Sequence, residues 1–571
     1  MRVSDRSNRL GRALLPNLTH IPVPELQSGA DAAAPAPVRA RLQWLSPGRL
    51  ALLLIVIVGA VLRLPHLSTP LVETHGWRQV ETASIARALF EERFNPFYPK
   101  VNWGGPDGYV ESEFPLVPAL AAAAYHAFGP DVKWGRAVSL LFALSAIWAT
   151  AALGTLLIGA GAGRAAALLV ATSPAFVFYG RAFMPDTPMV CLSLVAVYGF
   201  ARYLRAADSR MLLVGAVAAA LAWLVKLPSI VIVPVLMALA WEHGGRAALT
   251  ERRFVLALVL PLIAAAAWYL HAYRIFLETG LTFGILAHPA KTYPATVAFG
   301  PWEPFDKWST VALLVDTEFY RTLLARLWIT QLTPVGVAGA AVGLLLWPQG
   351  PGRLAVRVWL GILVLFVLAA GHGHLAHDYY QLPLIPVGAL FFGAAVGPFF
   401  EGSWLARHIA RGWKGPLAAG VVAVLLALAG YYFSGVSRSH FRQGRLDTGV
   451  IRAGQAIDRV LPAGELLVVA DEFGVTSPML LYFSHADGWS FDVTDLSPQM
   501  IARLHDKGAR YFATTIWPRI ESQRPMVAAY LDEFESVPLG RVPGGTRLVD
   551  LSRPKGMDEA PSIPATGVEP R

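Results

Sequence analysis

Apolar runs recur along this chain from Leu50 to about residue 433, at 50–64, 136–158, 165–181, 187–204, 211–226, 229–242, 254–276, 332–348, 358–371, 379–400 and 416–433. Each is uniformly apolar rather than striped, as expected of helices buried in a bilayer. The runs predict about eleven spanning helices, and up to thirteen if borderline stretches also cross. One long polar stretch interrupts the series. It follows the first run, spans 65–135, and includes HGWRQVETASIARALFEERFNPFYPKVNWGGPDGYVESEFPL from His75 to Leu116. A loop of this length with helix-forming sequence and aromatic anchors points to function. After residue 433 the pattern changes. ELLVVAD (465–471), ARYFATT (509–515) and TRLVDLS (546–552) read as strands, and Pro498–Lys507 as a helix between them. Alternating strands and helices predict a small α/β domain.

The predicted organisation is a flexible cytoplasmic tail over 1–48, a transmembrane domain over 49–433, an α/β domain over 434–555 and a disordered tail over 556–571. The opening segment is rich in Arg, Ala and Pro and lacks the pattern of a signal peptide. A hydrophobic fraction of 55% and a mean hydropathy of +0.47 place the chain among polytopic membrane proteins. The net charge of +9 then reports topology. With the tail inside and Leu116–Phe128 not crossing, Arg164, Arg205, Arg210, Arg246, Arg252, Arg253, Arg353, Arg357, Arg407, Arg411 and Lys414 all fall in cytoplasmic loops. The loop 65–135 and the C-terminal domain are then extracytoplasmic, on the outer side of the inner membrane. No basic cluster is interleaved with aromatics, so nucleic acid is not an expected partner. The single cysteine, Cys191, excludes an intramolecular disulfide and cysteine-based structural zinc.

The same parity gathers Glu73, His75, Arg78, Glu81, Glu111, Glu113, Asp186, Lys226, His271, His288, His372, His374, His377 and Asp378 at one face of the membrane. Glu113 stands in ESEFPL, where Pro115 suits the first turn of a helix whose positive end favours anions. Asp186, in MPDTP, suits a helix start equally well. Arg78 and Glu81, three apart on a helix, suit an ion pair. Lys226 is the only lysine between Leu212 and Ala240, and an ionisable group at membrane depth is a functional candidate. HGHLAHDYYQLPLIP (372–386) packs His377, Asp378, Tyr379 and Tyr380 at one helix start. A substrate surface, an interfacial aromatic belt and a divalent metal all remain open there.

The order of these segments resembles the GT-C glycosyltransferases of the family 39 type, which include the protein O-mannosyltransferases and the lipid A aminoarabinose transferase. The segments are one helix, a long outer loop ending in E-x-P, an acid in D-x-P, a lysine after the fifth helix, and a tyrosine-rich L-P start near the tenth. The resemblance covers about residues 50–400 and implies an inverting enzyme that takes a sugar from a polyprenyl phosphate. The acceptor would be a lipid, glycan or protein at the outer membrane face. It implies Glu113, Asp186 and Glu73 as candidate catalytic acids, Lys226 and Arg78 on the donor phosphate, and His75, Glu81, His377, Asp378, Tyr379 and Tyr380 around the substrate. No cofactor is required, and a divalent metal is conceivable. Membrane lipids are the expected surroundings. The sequence departs from the family where an Asp-Glu pair usually precedes the stretch matching TASIARAL; here that place reads HGWRQ. Phe114 also replaces the lysine that follows the family's glutamate. The alternative is a lipid or sugar transporter or flippase, which would need charges near the midplane and matching halves. A third reading is an assembly protein whose outer domain binds partners.

Overall fold

The computed structural model describes residues 47–286, 307–347, 350, 352–400, 432, 435, 441, 448–472 and 478–556. The chain is a polytopic α-helical membrane protein with a C-terminal sheet, as the sequence predicts. Its helices in order are α1 (Pro47–Val61), α2 (Gly76–Glu91), α3 (Leu116–Phe128), α4 (Val132–Leu157), α5 (Ala160–Thr172), α6 (Pro174–Tyr179), α7 (Asp186–Ala206), α8 (Ser209–Val225), α9 (Val233–Leu249), α10 (Arg252–Thr279), α11 (Val311–Val315), α12 (Thr317–Arg326), α13 (Thr333–Leu346), α14 (Arg353–Ala369), α15 (Gly371–Ala376) and α16 (Leu384–Val396).

Among the described residues, six helical segments are long and apolar enough to cross a membrane. A bent pair, Thr317–Gln331 with Thr333–Leu346 at 104°, makes a seventh if it counts as one span. This is fewer than the eleven to thirteen predicted. Several apolar runs fold into short helices: α5 has 13 residues, α13 has 14 and α8 has 17. At about 1.5 Å rise per residue these fall short of a core about 30 Å thick. The run 165–181 breaks because Ser173 caps a new helix, accepting from the Phe176 N–H, and Pro174 begins it. Apart from Tyr432, the predicted helix 416–433 lies outside the described residues, as do His288, residues 1–46 and residues 557–571. α3 is a 13-residue helix packed on α2 and α4, too short to span.

Small residues let the membrane helices approach closely. A Cβ on Gly154 of α4 would meet the Gly163 backbone of α5 at 2.8 Å. The sheet runs β2 (Gly488–Phe491), β1 (Leu466–Ala470), β3 (Ala509–Thr514), β5 (Arg547–Pro554), β4 (Phe534–Ser536); the first three strands are parallel and β5 is antiparallel to its two neighbours. The sequence shows β1, β3 and β5 but not the short β2 and β4. Strand alternation splits the sheet between two cores. Val468, Ala470, Phe512 and Val549 pack with Ile501, Ile520 and Val527 from the helices of the sheet domain itself. Leu467, Val469, Tyr511, Ala513 and Leu548 share a core with Leu71, Val80, Ala83, Val117 and Phe183 from the membrane region and its long loop. One face of the sheet thus fastens α2 in place. The loop at 102–105 docks on β2: the Gly488 N–H donates to Asn102 O at 2.9 Å and the Gly105 N–H to Gly488 O at 2.8 Å. Gly105 has φ +79° and lies against Trp489, where a Cβ would meet the indole at 2.6 Å. Glycine satisfies both demands.

Candidate functional site

The buried polar residues at the start of α2 set the site. Arg78 is nearly fully buried and forks between two carboxylates: Nη1 donates to Glu81 at 2.9 Å and Nη2 to Glu113 at 3.1 Å. Its guanidinium also lies over the Phe283 ring, 4.9 Å from the centroid. Burial, aided by Glu113, outweighs Arg78 and pushes the Glu81 carboxyl up to about 7. For Glu113, burial pushes the other way to its neighbours, and Arg78 and Lys226 win, holding the carboxyl below its usual range. Two acids on one guanidinium are therefore driven apart, a pattern that separates acid from base roles.

Lys226 follows the last residue of α8 and is buried, with Nζ 2.8 Å from Asp186 Oδ1 at the first turn of α7. Its ammonium stands 5.3 Å from the ring centroids of both Tyr379 and Tyr380. Pro185 and Pro188 flank Asp186 and set this helix start. Asp186, Lys226 and Tyr380 help line an apolar cavity whose walls also include Ile232, Trp359, Leu363 and Phe366.

The 3-10 turn Asp378–Gln381, just before α16, closes the site. Asp378 is buried; its Oδ1 lies 3.0 Å from His75 Nε2 and accepts from the Tyr179 hydroxyl. His75 caps α2 in the left-handed region, at φ +52°. Its ring meets Tyr379 edge-on at 5.0 Å, and His377 stacks on Tyr379 at 5.1 Å.

The structure therefore brings together ten of the eleven singled-out residues: His75, Arg78, Glu81, Glu113, Asp186, Lys226, His377, Asp378, Tyr379 and Tyr380. Glu73 stands in a separate buried cluster. Its carboxylate accepts from Arg136 at 2.9 Å and from Arg181 twice at 2.8 Å. These guanidiniums outweigh burial and hold its carboxyl below the usual range. Glu111 is likewise occupied: it accepts from the Thr282 hydroxyl and the Leu286 N–H. Sequence reasoning missed Tyr179, Arg136, Arg181 and Lys307. Lys307 stands close enough to act on Glu113, though nothing near it in sequence marks it out. Among the described residues no group of three or more His, Cys, Asp or Glu is placed to hold a metal ion.

The sequence model of the dolichyl-phosphate-mannose-protein mannosyltransferase family matches residues 112–271, which carry Glu113, Asp186 and Lys226. No curated protein sequence matches the chain significantly. Among solved structures, ArnT from Cupriavidus metallidurans bound to undecaprenyl phosphate superposes with a TM-score of 0.57 at 16% identity, over 89% of this chain and 98% of that one. The Archaeoglobus fulgidus oligosaccharyltransferase, in complex with zinc and sulfate, gives 0.52 at 13% identity over 87% and 74%. The mycobacterial arabinofuranosyltransferase AftD gives 0.50 at 15% identity; 89% of this chain covers 40% of that one. At such identities the likeness is one of fold.

Proposed function

From the GT-C superfamily fold that this chain has, we propose that it is an integral-membrane glycosyltransferase. It moves a sugar from a polyprenyl-phosphate donor to a lipid, glycan or protein acceptor. The observation that carries the reading is Lys226 and Arg78, two buried cations held by Asp186 and Glu113, with Lys226 in the lining of an apolar cavity. A phosphate on an isoprenoid chain has the two properties this arrangement matches: an anionic head and an apolar tail. Lys226 serves as a point charge and Arg78 as a fork.

In the reaction, the acceptor oxygen or nitrogen attacks the anomeric carbon opposite the phosphate. The carbon–oxygen bond to phosphate breaks with inversion, and the electron pair leaves on the phosphate. Arg78 and Lys226 stabilise that developing charge. Asp186 and Glu113 hold the two cations in place, and each remains a candidate for contact with the acceptor. His377, Tyr379 and Tyr380 wall the sugar. Glu73, enclosed by Arg136 and Arg181, braces the loop. The charge rule applied to the basic loops supports an outer location for the site, in a multi-pass protein of the inner membrane. A flippase would carry its charges nearer the midplane and show matching halves.

The test uses the purified full chain in nanodiscs. Polyprenyl-phosphate-linked sugars extracted from the host's membranes are supplied as donor, with those membranes as the source of acceptor. Release of free polyprenyl phosphate by the wild type, lost in Arg78→Met, is expected. Movement of lipid-linked sugar across the bilayer with no release of polyprenyl phosphate would refute the reading.

A further inference from the structure

A polar cleft of about 560 Å³, a size typical of ligand pockets, lies away from the reaction site. One wall is the last half of α2 with residues 100–102. The other is the sheet domain, at the stretches that lead into β1 and β2. We propose that this cleft binds the glycan part of a sugar-bearing acceptor, a role that rests on the transferase reading above.

The free hydrogen-bonding groups of the cleft suit a hydroxyl-rich ligand. Arg87 and Glu91 are four apart on α2, a spacing that favours an ion pair, yet they form none. Arg87 turns to the sheet domain instead. Its guanidinium lies 3.8 Å from the centroid of the Tyr482 ring, and Nη1 donates to Tyr482 O at 2.8 Å. Its other N–H groups have no hydrogen-bond partner among the described residues, and neither has the exposed Glu91 carboxylate. Asn102 is 8% exposed and lines the same cleft. Its Oδ1 accepts from Ser84 Oγ at 3.1 Å, while Nδ2 has no partner among the described residues. A buried donor left unpaired is costly, and a ligand oxygen would offset that cost. The cleft thus offers Arg87 and Asn102 as donors and Glu91 as an acceptor. A sugar hydroxyl can meet either kind.

The charges disfavour simpler ligands. An anion would face five carboxylates, those of Glu91, Glu92, Asp458, Glu465 and Asp487. Four of the five already have partners. Lys100 bridges Glu92 and Asp487, at 3.1 Å from the latter, His485 lies 3.2 Å from Asp458, and Arg510 donates to Glu465 at 3.1 Å. A compact cation would meet Arg87 and Lys100, and among the described residues no group of three or more His, Cys, Asp or Glu is placed to hold a metal ion. A neutral chain of hydroxyls is compatible with all of these groups.

The position suits a part of the acceptor remote from its reacting end. Arg87 stands nine residues beyond Arg78, about 13 Å along α2 and on the opposite side of the helix. The cleft shares no lining residue with the apolar cavity at Lys226, so both can be filled together. Among lipid, glycan and protein acceptors the cleft therefore selects one that carries a glycan, and the sheet domain takes part in that choice.

The test uses the full chain in nanodiscs and, as probe, fluorescently end-labelled glycans released from the host's envelope by mild acid. Two variants alter the cleft at exposed lining positions: Ala463→Trp fills it, and Glu91→Lys reverses its free acceptor. The wild type should retain a glycan fraction in high salt, where attraction between exposed charges is screened. Ala463→Trp should abolish retention, and Glu91→Lys should lower affinity by at least about tenfold, as loss of a hydrogen bond to a charged group does. Polyprenyl phosphate affinity should stay within about twofold in both, because distant sites act independently. No retention by the wild type, unchanged retention in either variant, or retention that disappears in high salt overturns the glycan cleft. Release of polyprenyl phosphate from lipid-linked sugar, measured beside it, separates the two readings. Release without glycan retention overturns the cleft alone, and glycan retention by a protein that neither binds nor releases polyprenyl phosphate overturns the transferase reading.

Discussion

Replacing Lys226 by methionine should weaken binding of bare polyprenyl phosphate, and the structure sets the size and an unusual rescue. A phosphate oxygen docked about 4 Å from Nζ gains about 4 kcal/mol per unit charge at an effective dielectric of about 20. Asp186 Oδ1 lies 2.8 Å from the same nitrogen. On the far side of Nζ it stands about 7 Å from the docked charge, and at the same dielectric repels it by about 2 kcal/mol. The pair therefore contributes about 2 kcal/mol net, or about thirtyfold in affinity. Lys226→Met removes the attraction and leaves the repulsion, so the loss is about 4 kcal/mol, or about a thousandfold. The double variant Lys226→Met with Asp186→Asn removes both and should bind better than the single one, at about a thirtieth of wild-type affinity. Asp186→Asn alone should bind the phosphate more tightly than wild type yet transfer more slowly, because Lys226 loses its anchor. Lys226→Arg should restore affinity only in part, since a guanidinium does not fit the space of an ammonium. The assay is titration of a fluorescent polyprenyl phosphate into the protein in nanodiscs at pH 8. Affinities within twofold for wild type and Lys226→Met would refute the clamp, and a double variant no better than the single would refute the opposing role of Asp186.

Further outcomes follow from Glu81, from Glu73 and from the buried Cys191. Glu81 is neutral below about 7 and anionic above it. Raising the pH through 7 thus adds a negative charge beside Arg78, and polyprenyl phosphate affinity should fall relative to Glu81→Gln; parallel curves for the two proteins would contradict this, and the ratio cancels the lipid's own titration. Folding carries the same sign, because the folded chain binds that proton more tightly than the unfolded one, so stability declines as pH rises from about 4.5 to 7. Glu73→Gln leaves Arg136 and Arg181 buried without their shared anion, which should lower stability by about 3–5 kcal/mol and show as a large drop in melting temperature in detergent; a stable variant that has lost only turnover would make Glu73 catalytic instead. Cys191 is buried, so single cysteines can be scanned in the natural background. Impermeant labels should reach 70–112 and 440–550 from outside only and Arg246–Arg253 from inside only, and labelling of 440–550 from the cytoplasm would reverse the orientation.

Much of the fold is legible in the sequence because burial in a bilayer and burial in a sheet leave different apolar patterns. LLVVA reads as a strand enclosed on both faces, and both faces are filled. Helix length is harder to read, because Gly, Ser and Pro break apolar runs without interrupting their hydropathy. The run AAALLVATSPAFVFYGR (165–181) looks like one span but breaks between α5 and α6. The residues of the site are legible for a related reason: a lone lysine in an apolar run, or an acid between prolines, is conspicuous. Their partners are not. His75 and Asp378 are 303 residues apart, and Glu73 reaches Arg181 across 108. Nothing local distinguishes Arg136 and Arg181, which are buried, from basic residues at a loop edge. Glu73 therefore reads as a candidate acid until the two guanidiniums around it are seen.

The way each cation is paired bears on turnover as well as on binding. Arg78 and Lys226 face Glu113 and Asp186, Lys307 stands near enough to act on Glu113, and Glu81 is near half-neutral at pH 7. Counted together, these groups are close to electrically balanced. The donor phosphate is a diester and the released product a monoester, which carries more charge. A bare lysine and arginine at this depth would hold the product more tightly than the donor and slow its release. Carboxylates behind the cations reduce affinity for both, while the attraction that grows as the bond to phosphate breaks is retained. Only interactions stronger in the transition state accelerate the chemical step. On this argument Asp186 and Glu113 bear on the chemistry through the cations they hold.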